Sequence, residues 1–350
     1  MLNNKNYPEE YTKPTVFNRL SDIIGKTPLL KVDFSSFGVK ANVYAKLEYL
    51  NPGLSVKDRP ALNVLKQAEA EGRLKPGGTI IECTSGNMGV GLIMASKENN
   101  YKCIFVMTTK HSKEKIKLLR AYGAEVVVCD GSLPKDHADS AHGTAARLER
   151  ELDNACWINQ YQNQNNPNAH YLTTGPEICE QTQGKITHFI SSSSTGGTIS
   201  GVGSYLKEKK PDVKVWAADA FGSAFKAQHE NGVYTDEDVY PYLSENVGKN
   251  YIPETINFDV IDHFEKVPDV NGAVTARLMA YKFGLLLGYS SGACFASLLQ
   301  QKHKFTENDT IVVLCADHGS RYMNTIYNDD WMLEHDFPLS VENLKIATAV

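Results

Sequence analysis

Apolar residues fall along this chain in strand-sized runs separated by stretches with helical spacing. NVYAKLEYL (42–50) is followed by the helix-like KDRPALNVLKQAEAEGRL (57–74), and the turn KPGG leads into TIIEC (79–83). The alternation continues through SGNMGVGLIMASKENN, a helix, CIFVMTT, a strand, SKEKIKLLRAYG, a helix, and AEVVVC, a strand. A second half resumes it with ITHFISS, TGGTISGVGSYLKEKKP and VKVWAADA, and later with AVTARLMAYKFG, LLLGYSSGACFASLLQQK and TIVVLCAD. Strand and helix in regular succession predict an α/β fold with largely parallel sheets. The polar stretch WINQYQNQNNPNAH (157–170) divides the two halves, so two α/β units with a cleft between them are expected.

Length and charge narrow the function classes. At 350 residues the chain has room for about two domains. With 36 basic and 41 acidic side chains its net charge is −5, which disfavours a general nucleic-acid binder. No apolar run approaches the ~18 residues that a bilayer crossing needs, and the acidic N-terminal stretch does not read as a secretory signal. The seven cysteines are scattered, several within apolar runs, and form no CxxC pair; reduced thiols in a cytoplasmic protein are expected, with no zinc site. The ten histidines include no HExxH, and no metal site is expected.

Three small-residue loops are each expected to follow a strand and open a helix: CTSGNMG (83–89), SSSSTGGT (191–198) and GYSSGA (288–293). The unpaired N–H groups and positive dipole end of a helix N-terminus suit a carboxylate or phosphate, and small side chains let the anion approach. Several such loops in one chain favour a small ligand with more than one anionic group. Neither nucleotide fingerprint is present. GKT at 25–27 lacks the P-loop glycine, because Leu20 stands there, and GNMGVG has the spacing GxxGxG.

NPGLSVKDR (51–59), TSGN, QYQNQNNP, STGGT and GYSSGA occur here in an order that resembles the pyridoxal-phosphate β-family, which includes cysteine synthase and cystathionine β-synthase. The resemblance covers residues 17–332 and is closest to the bacterial cystathionine β-synthase branch, supported by VWAADAFGS, NYIPETINFDVIDHF and DHGSRYMNTIYNDDWM. It implies a tryptophan synthase β-like, fold-type II architecture of two three-layer α/β domains, with pyridoxal 5'-phosphate in the interdomain cleft. A small mobile substrate-gripping domain would comprise 1–20 and 47–161. The large phosphate-binding domain would comprise 21–46 and 162–340, leaving 341–350 as a tail. A cytoplasmic homodimer is the implied assembly.

The site residues follow from the same resemblance. Lys57 is the implied catalytic lysine, bonded to the cofactor and free, once displaced, to move the Cα proton. Ser194, Thr195, Gly196, Gly197 and Thr198 would hold the phosphate, and Asn87 the ring hydroxyl. Thr84, Ser85, Gly86 and Met88 would grip the substrate α-carboxylate, with Gln160 reaching it from the opposite side. Ser290 and Asp317 are alternatives for the pyridine nitrogen, and Glu245 would guide or deprotonate the nucleophile. The implied reaction is β-replacement on serine, an activated serine or cysteine, through α-aminoacrylate with a thiol. Cysteine synthesis from O-acetylserine and sulfide, sulfide release from cysteine, or a catalytically degenerate cofactor-binding homologue are the alternatives.

Several positions depart from the family pattern. Leu54 and Asn246 replace glycines, Met88 replaces a threonine, and Ser191–Ser194 replace a more apolar lead into TGGT. Lys249 stands where cystathionine β-synthases often carry tyrosine. These changes surround the expected substrate and leave Lys57, Asn87 and TGGT untouched, so altered substrate choice with retained cofactor binding is expected.

Overall fold

A computed structural model describes residues 16–84, 86–134 and 136–339. Ser85, residues 1–15 of the expected small domain, Ser340 and the expected tail 341–350 lie outside the described residues. Among the described residues the first two strands are an antiparallel pair, β1 (Leu29–Val32) and β2 (Asn42–Leu47). Alternation then runs α1 (Asp58–Ala70), β3 (Thr79–Cys83), α2 (Asn87–Ser96), β4 (Lys102–Thr108), α3 (Lys113–Ala121), β5 (Glu125–Cys129), α4 (Ala141–Glu151) and β6 (Ala155–Trp157). Two helices, α5 (Asn165–Leu172) and α6 (Thr174–Gln181), lead to β7 (His188–Ser192), α7 (Gly197–Lys209), β8 (Lys214–Ala220) and α8 (Phe225–Asn231). The remainder is β9 (His263–Val267), α9 (Asp269–Phe283), α10 (Tyr289–Gln300), β10 (Thr310–Cys315) and α11 (Asp329–Glu334).

These strands form two sheets. A four-stranded sheet has the order β5-β4-β3-β6 and is wholly parallel. A six-stranded sheet has the order β1-β2-β10-β7-β8-β9, parallel except for β1. Both faces of each sheet are covered, which is why the strands read as continuous apolar runs. Ile80 and Ile81 of β3 enter cores on opposite faces, as do Phe189 and Ile190 of β7. The expected α/β class and parallel pairing are present.

Strand order explains where a ligand belongs. β3 has β4 on one side and β6 on the other, and β7 has β8 and β10, so chain direction across the sheet reverses at each. A crevice opens beyond the carboxyl ends of strands at such a reversal. The loops leaving β3 and β7 are TSGN and SSTGG.

One expectation fails. GYSSGA does not follow a strand: Leu285–Gly288 contributes only the isolated bridge Leu287↔His318. Left-handed Gly284 (φ +68) ends α9, and the chain passes almost directly into α10. Pattern reading also left β1, α4, β6, α5, α6, α8, β9 and α11 without assignment. Their apolar periods are short or interrupted, and packing against the sheets decides them.

Candidate active site

Lys57 occupies the residue before α1, and a folded loop holds it there. Leu54 N donates to Asn51 O (2.8 Å), and Val56 N reaches across to Ala316 O at the end of β10 (2.7 Å). Asp58 accepts from Gly53 N, and a Cβ at position 53 would lie 2.3 Å from Asp58 Oδ1, so this glycine is required by space. Leu54 has φ +58 and Asn246 φ +61, the left-handed region that glycine adopts without strain. That is the physical reason for glycine at both places in the resembled pattern. Burial, then the nearby Lys249 cation, pull the Lys57 amine down to about 8, with Glu82 and Asp317 opposing. A lysine so placed is a nucleophilic amine rather than a surface charge.

Lys57 lines a cavity that gathers most of the expected residues: Thr84, Asn87, Met88, Gln160, Ser194, Thr195, Gly196, Thr198 and Ser290. On one wall, Thr84 Oγ1 accepts from Gly86 N (3.0 Å) and Gly89 N (3.3 Å), tightening the turn into α2. Asn87 begins that helix. Its Nδ2 donates to Asp317 Oδ2 (2.7 Å), and its Oδ1 accepts from Arg321. Both ends of its amide are therefore clamped from the far end of the chain.

The opposite wall is the turn from β7 into α7. Thr195 Oγ1 accepts from Gly197 N (3.2 Å) and from Asn166 Nδ2 (3.1 Å). Gly196 has φ +82, and a Cβ there would sit 2.4 Å from Ile256 Cβ. Ser193 Oγ and Asn166 Oδ1 are buried without a partner among the described residues. Thr198 Oγ1 lies 3.2 Å from Nε2 of buried His170, which burial keeps neutral by holding its pKa well below the usual value. The N–H groups and hydroxyls of a small-residue turn at a helix N-terminus are a ready phosphate cup.

Other expected residues sit differently. Asp317 is buried but absent from the cavity lining; its Oδ2 accepts from Asn87 and from the Tyr322 hydroxyl (2.8 Å), and burial raises its pKa. Ser290 does line the cavity, at the first turn of α10. Gly197 opens α7 just behind that lining. Gly86 and Glu245 face a neighbouring cavity that shares Asn87 with the first, and Glu245 is ion-paired with Lys115 there.

Glu82 was missed. It is fully buried on β3, and burial pushes its carboxyl up to about 8 despite hydrogen bonds from Gln160. Gln160 Nε2 donates to Glu82 Oε1 and to Cys83 O, each at 3.1 Å. An acid inside the apolar strand TIIEC was the available signal, since a buried carboxyl needs a dedicated partner. Arg321, which clamps Asn87, lay unassigned in DHGSRY.

A family described as "Pyridoxal-phosphate dependent enzyme" matches residues 20–317. The chain belongs to this family. It is 39% identical over 334 residues to a cystathionine beta-synthase of Apis mellifera, covering 94% of this chain and 64% of that one. Against the Saccharomyces cerevisiae cystathionine beta-synthase the identity is 36% over 326 residues, covering 90% and 64%. The chain thus spans less than two thirds of the length of these curated relatives. Among solved structures, an O-acetylserine dependent cystathionine beta-synthase from Helicobacter pylori superposes with TM-score 0.81 at 32% identity, covering 90% of this chain and all of that one. A hydrogen sulfide-producing enzyme from Fusobacterium nucleatum gives 0.79 at 35%, covering 88% of this chain and 100% of that one. The architecture is that of the fold-type II pyridoxal-phosphate enzymes.

The residues present fit this cofactor: an amine with depressed proton affinity, a clamped amide, and the small-residue turn of Ser194, Thr195, Gly196 and Thr198 at the start of α7 converge on one cavity. Among the described residues no helix is long and apolar enough to cross a membrane, and no group of three His, Cys, Asp or Glu side chains is placed to hold a metal.

Proposed function

We propose that this protein catalyses β-replacement on serine, or on an activated serine or cysteine, with a thiol nucleophile, in the manner of a cystathionine β-synthase. One observation carries the reading: Lys57 and Ser194, Thr195, Gly196 and Thr198 line a single cavity with Asn87 and Met88 of the first turn of α2. Lys57 would hold the cofactor covalently. The phosphate would take the cup of Ser194, Thr195, Gly196, Gly197 and Thr198, the ring hydroxyl Asn87, and the ring nitrogen Ser290. When bound, the cofactor supplies the electron sink that no side chain provides.

The chain's own residues do the rest. The α2 N-terminus, with Thr84, Ser85, Gly86 and Met88, binds the substrate carboxylate through N–H groups and the helix dipole. Gln160 contributes from the end of β6, oriented by Glu82. Lys57 takes the Cα proton and returns it. Asp317 acts through Asn87, which it holds in register. Gripping the carboxylate draws the smaller domain (1–20 and 47–161) onto the larger (21–46 and 162–340) and excludes water. Glu245, paired with Lys115 at the adjoining cavity, would meet the incoming nucleophile. A cytoplasmic homodimer is part of the reading; seven cysteines outside any disulfide, six of them buried, support the reducing compartment.

Steady-state turnover of serine plus homocysteine, set against O-acetylserine plus sulfide, tests the reading. Thioether product from homocysteine is expected. A second reading, cysteine synthesis or sulfide release, draws support from the sulfide-producing neighbour in Fusobacterium. Product only with sulfide would favour it. Cofactor uptake with no spectral response to any amino acid would leave the degenerate homologue.

A further inference from the structure

Helix α5 braces the cup from behind. Its Asn166 and His170 stand one turn apart on the same face and meet Thr195 and Thr198, which flank the start of α7. NPNAH, the end of the polar stretch between the two halves of the chain, supplies both braces. Gly197 and Gly201 allow the close approach, since a Cβ at the first would run into Asn166 Oδ1 and at the second into Pro167 O. Asn166 Nδ2 donates to Gln160 O (2.8 Å) and to Thr195 Oγ1 (3.1 Å), and Gly197 N donates to the same hydroxyl oxygen (3.2 Å). Both lone pairs of Thr195 Oγ1 are thereby filled, and its proton is left for the cavity that Thr195 lines.

At Thr198 the outcome depends on where His170 carries its own proton. The ring is fully buried, with Nδ1 2.9 Å from Thr174 Oγ1 and Nε2 3.2 Å from Thr198 Oγ1. Burial keeps it neutral, with the Lys57 and Arg59 cations assisting and Glu177 opposing, so one ring nitrogen donates and the other accepts. Thr174 is fully buried as well, and among the described residues its hydroxyl has no other partner. A proton on Nδ1 would leave the Thr174 O–H with no acceptor, a buried orphan of the kind that folded proteins avoid. It would also draw the Thr198 proton onto Nε2 and away from the cavity. A proton on Nε2 satisfies every group: Thr174 donates to Nδ1, Nε2 donates to Thr198, and the Thr198 proton turns to the cavity that this residue lines.

We propose that His170 is a positioning residue which, with its proton on Nε2, holds the Thr198 hydroxyl as a donor to the phosphate of the cofactor. The inference rests on seating that phosphate in the cup of Ser194–Thr198. A phosphate dianion only accepts, so a hydroxyl whose proton had gone to a ring nitrogen would face it lone pair against lone pair. With Thr195 and Thr198 both held as donors, the cup suits the dianion.

Holoenzyme of wild type, T198V, H170M, H170Q and H170M/T198V is compared for the rate of pyridoxal phosphate release into cofactor-free buffer, followed by absorbance. T198V and H170M should each release it about tenfold faster or more, as for one lost hydrogen bond to a charged group. The double variant should lie within about twofold of T198V, because both side chains act through one hydroxyl. H170Q, whose amide N–H can donate in place of Nε2, should restore most of the loss. A fully additive double variant would assign His170 to packing and overturn the proposal. An independent measurement is heteronuclear NMR of the histidine ring nitrogens in isotope-labelled wild-type holoenzyme, with the His170 signals identified by their absence from H170Q. Nε2 should be protonated, and a proton on Nδ1 would refute the proposal even if H170M failed to fold. If T198V released cofactor no faster than wild type, the phosphate would not sit at Thr198, and the cup reading would fall together with the proposal. If T198V released it faster and H170M did not, the cup would stand and the role of His170 alone would fall.

Discussion

Glu48→Gln should destabilise the protein by an amount that can be worked out from a buried charge cluster beneath Lys57. Arg59 Nε donates to Glu48 Oε2 (2.7 Å) and Nη2 to Glu48 Oε1 (2.8 Å), while Nη1 and Nη2 also meet Glu177 (both 2.7 Å). Lys46 Nζ joins through Glu177 Oε2 (2.7 Å) and Thr27 O (2.6 Å). Lys46 and Glu48 are 0% exposed and Arg59 4%, so solvent does not screen them. Two cations balance two anions. Glutamine at 48 keeps the shape, removes one anion and turns an amide N–H2 toward the donors of Arg59 or Thr27. Breaking a buried pair on one side costs about 3–5 kcal/mol. An unfolding entropy of ~2.1 cal/mol/K per residue gives roughly 0.7 kcal/mol/K for a chain of this size, hence a fall of about 4–7 °C in Tm.

Scanning calorimetry on wild type, E48Q and the neutral double variant E48Q/R59M measures this. The double variant leaves Lys46 and Glu177 to pair and should regain more than half of the loss, because charge balance returns. A fall below about 1 °C for E48Q, or a double variant worse than the single, would refute the reasoning. The pH dependence has a definite sign. Burial alone would raise the Glu177 carboxyl, but Arg59 and Lys46 outweigh it and hold it at about 2. Its contribution is therefore full above the ordinary carboxyl value and is lost as pH falls toward about 2. Wild-type Tm should drop through that window.

Three further outcomes are expected. Asp317→Ala leaves Asn87 Nδ2 and the Tyr322 hydroxyl without their acceptor, worth about 1–3 kcal/mol, so cofactor affinity measured by absorbance titration should weaken about tenfold or more; unchanged affinity would mean that Arg321 alone orients Asn87. Gly196→Ala places a Cβ 2.4 Å from Ile256 Cβ at a φ of +82, and the thermal upshift on adding pyridoxal phosphate should vanish; a full upshift would show that the cup tolerates the side chain. Leu54→Gly removes left-handed strain of ~1–2 kcal/mol and adds ~0.5–1 kcal/mol of unfolded-chain entropy. Since Leu54 is 43% exposed, stability by denaturant titration should hold or rise slightly, and a loss above about 1 kcal/mol would contradict this.

Much of the site was legible because its signals are local. NPGLSVKDR, TSGN and STGGT each place a reactive or anion-binding group within a few residues of a helix start, and the structure puts each at the start of α1, α2 or α7. GYSSGA was only half legible. Its helix was clear, but the strand expected before it was not formed, since an αL glycine and a single bridge replace it. Asp317 shows the limit more sharply. Sequence order left it and Ser290 as alternatives for one role, whereas side-chain contacts give Ser290 the cavity and Asp317 the amide of Asn87.

From the chain of letters alone came the alternation of buried parallel strands with helices and the identity of the anion loops, because apolar period and turn chemistry act over a handful of residues. Tertiary structure alone decided which distant groups meet. Asn87 and Asp317 stand 230 positions apart yet share a hydrogen bond, and Lys115 and Glu245, 130 apart, form an ion pair. The strand order that brings the β3 and β7 loops to their reversal points, and the burial that shifts Glu82 and Lys57, belong to no local window. Desolvation and Coulomb energy depend on the three-dimensional neighbourhood, which exists only once the sheets have paired.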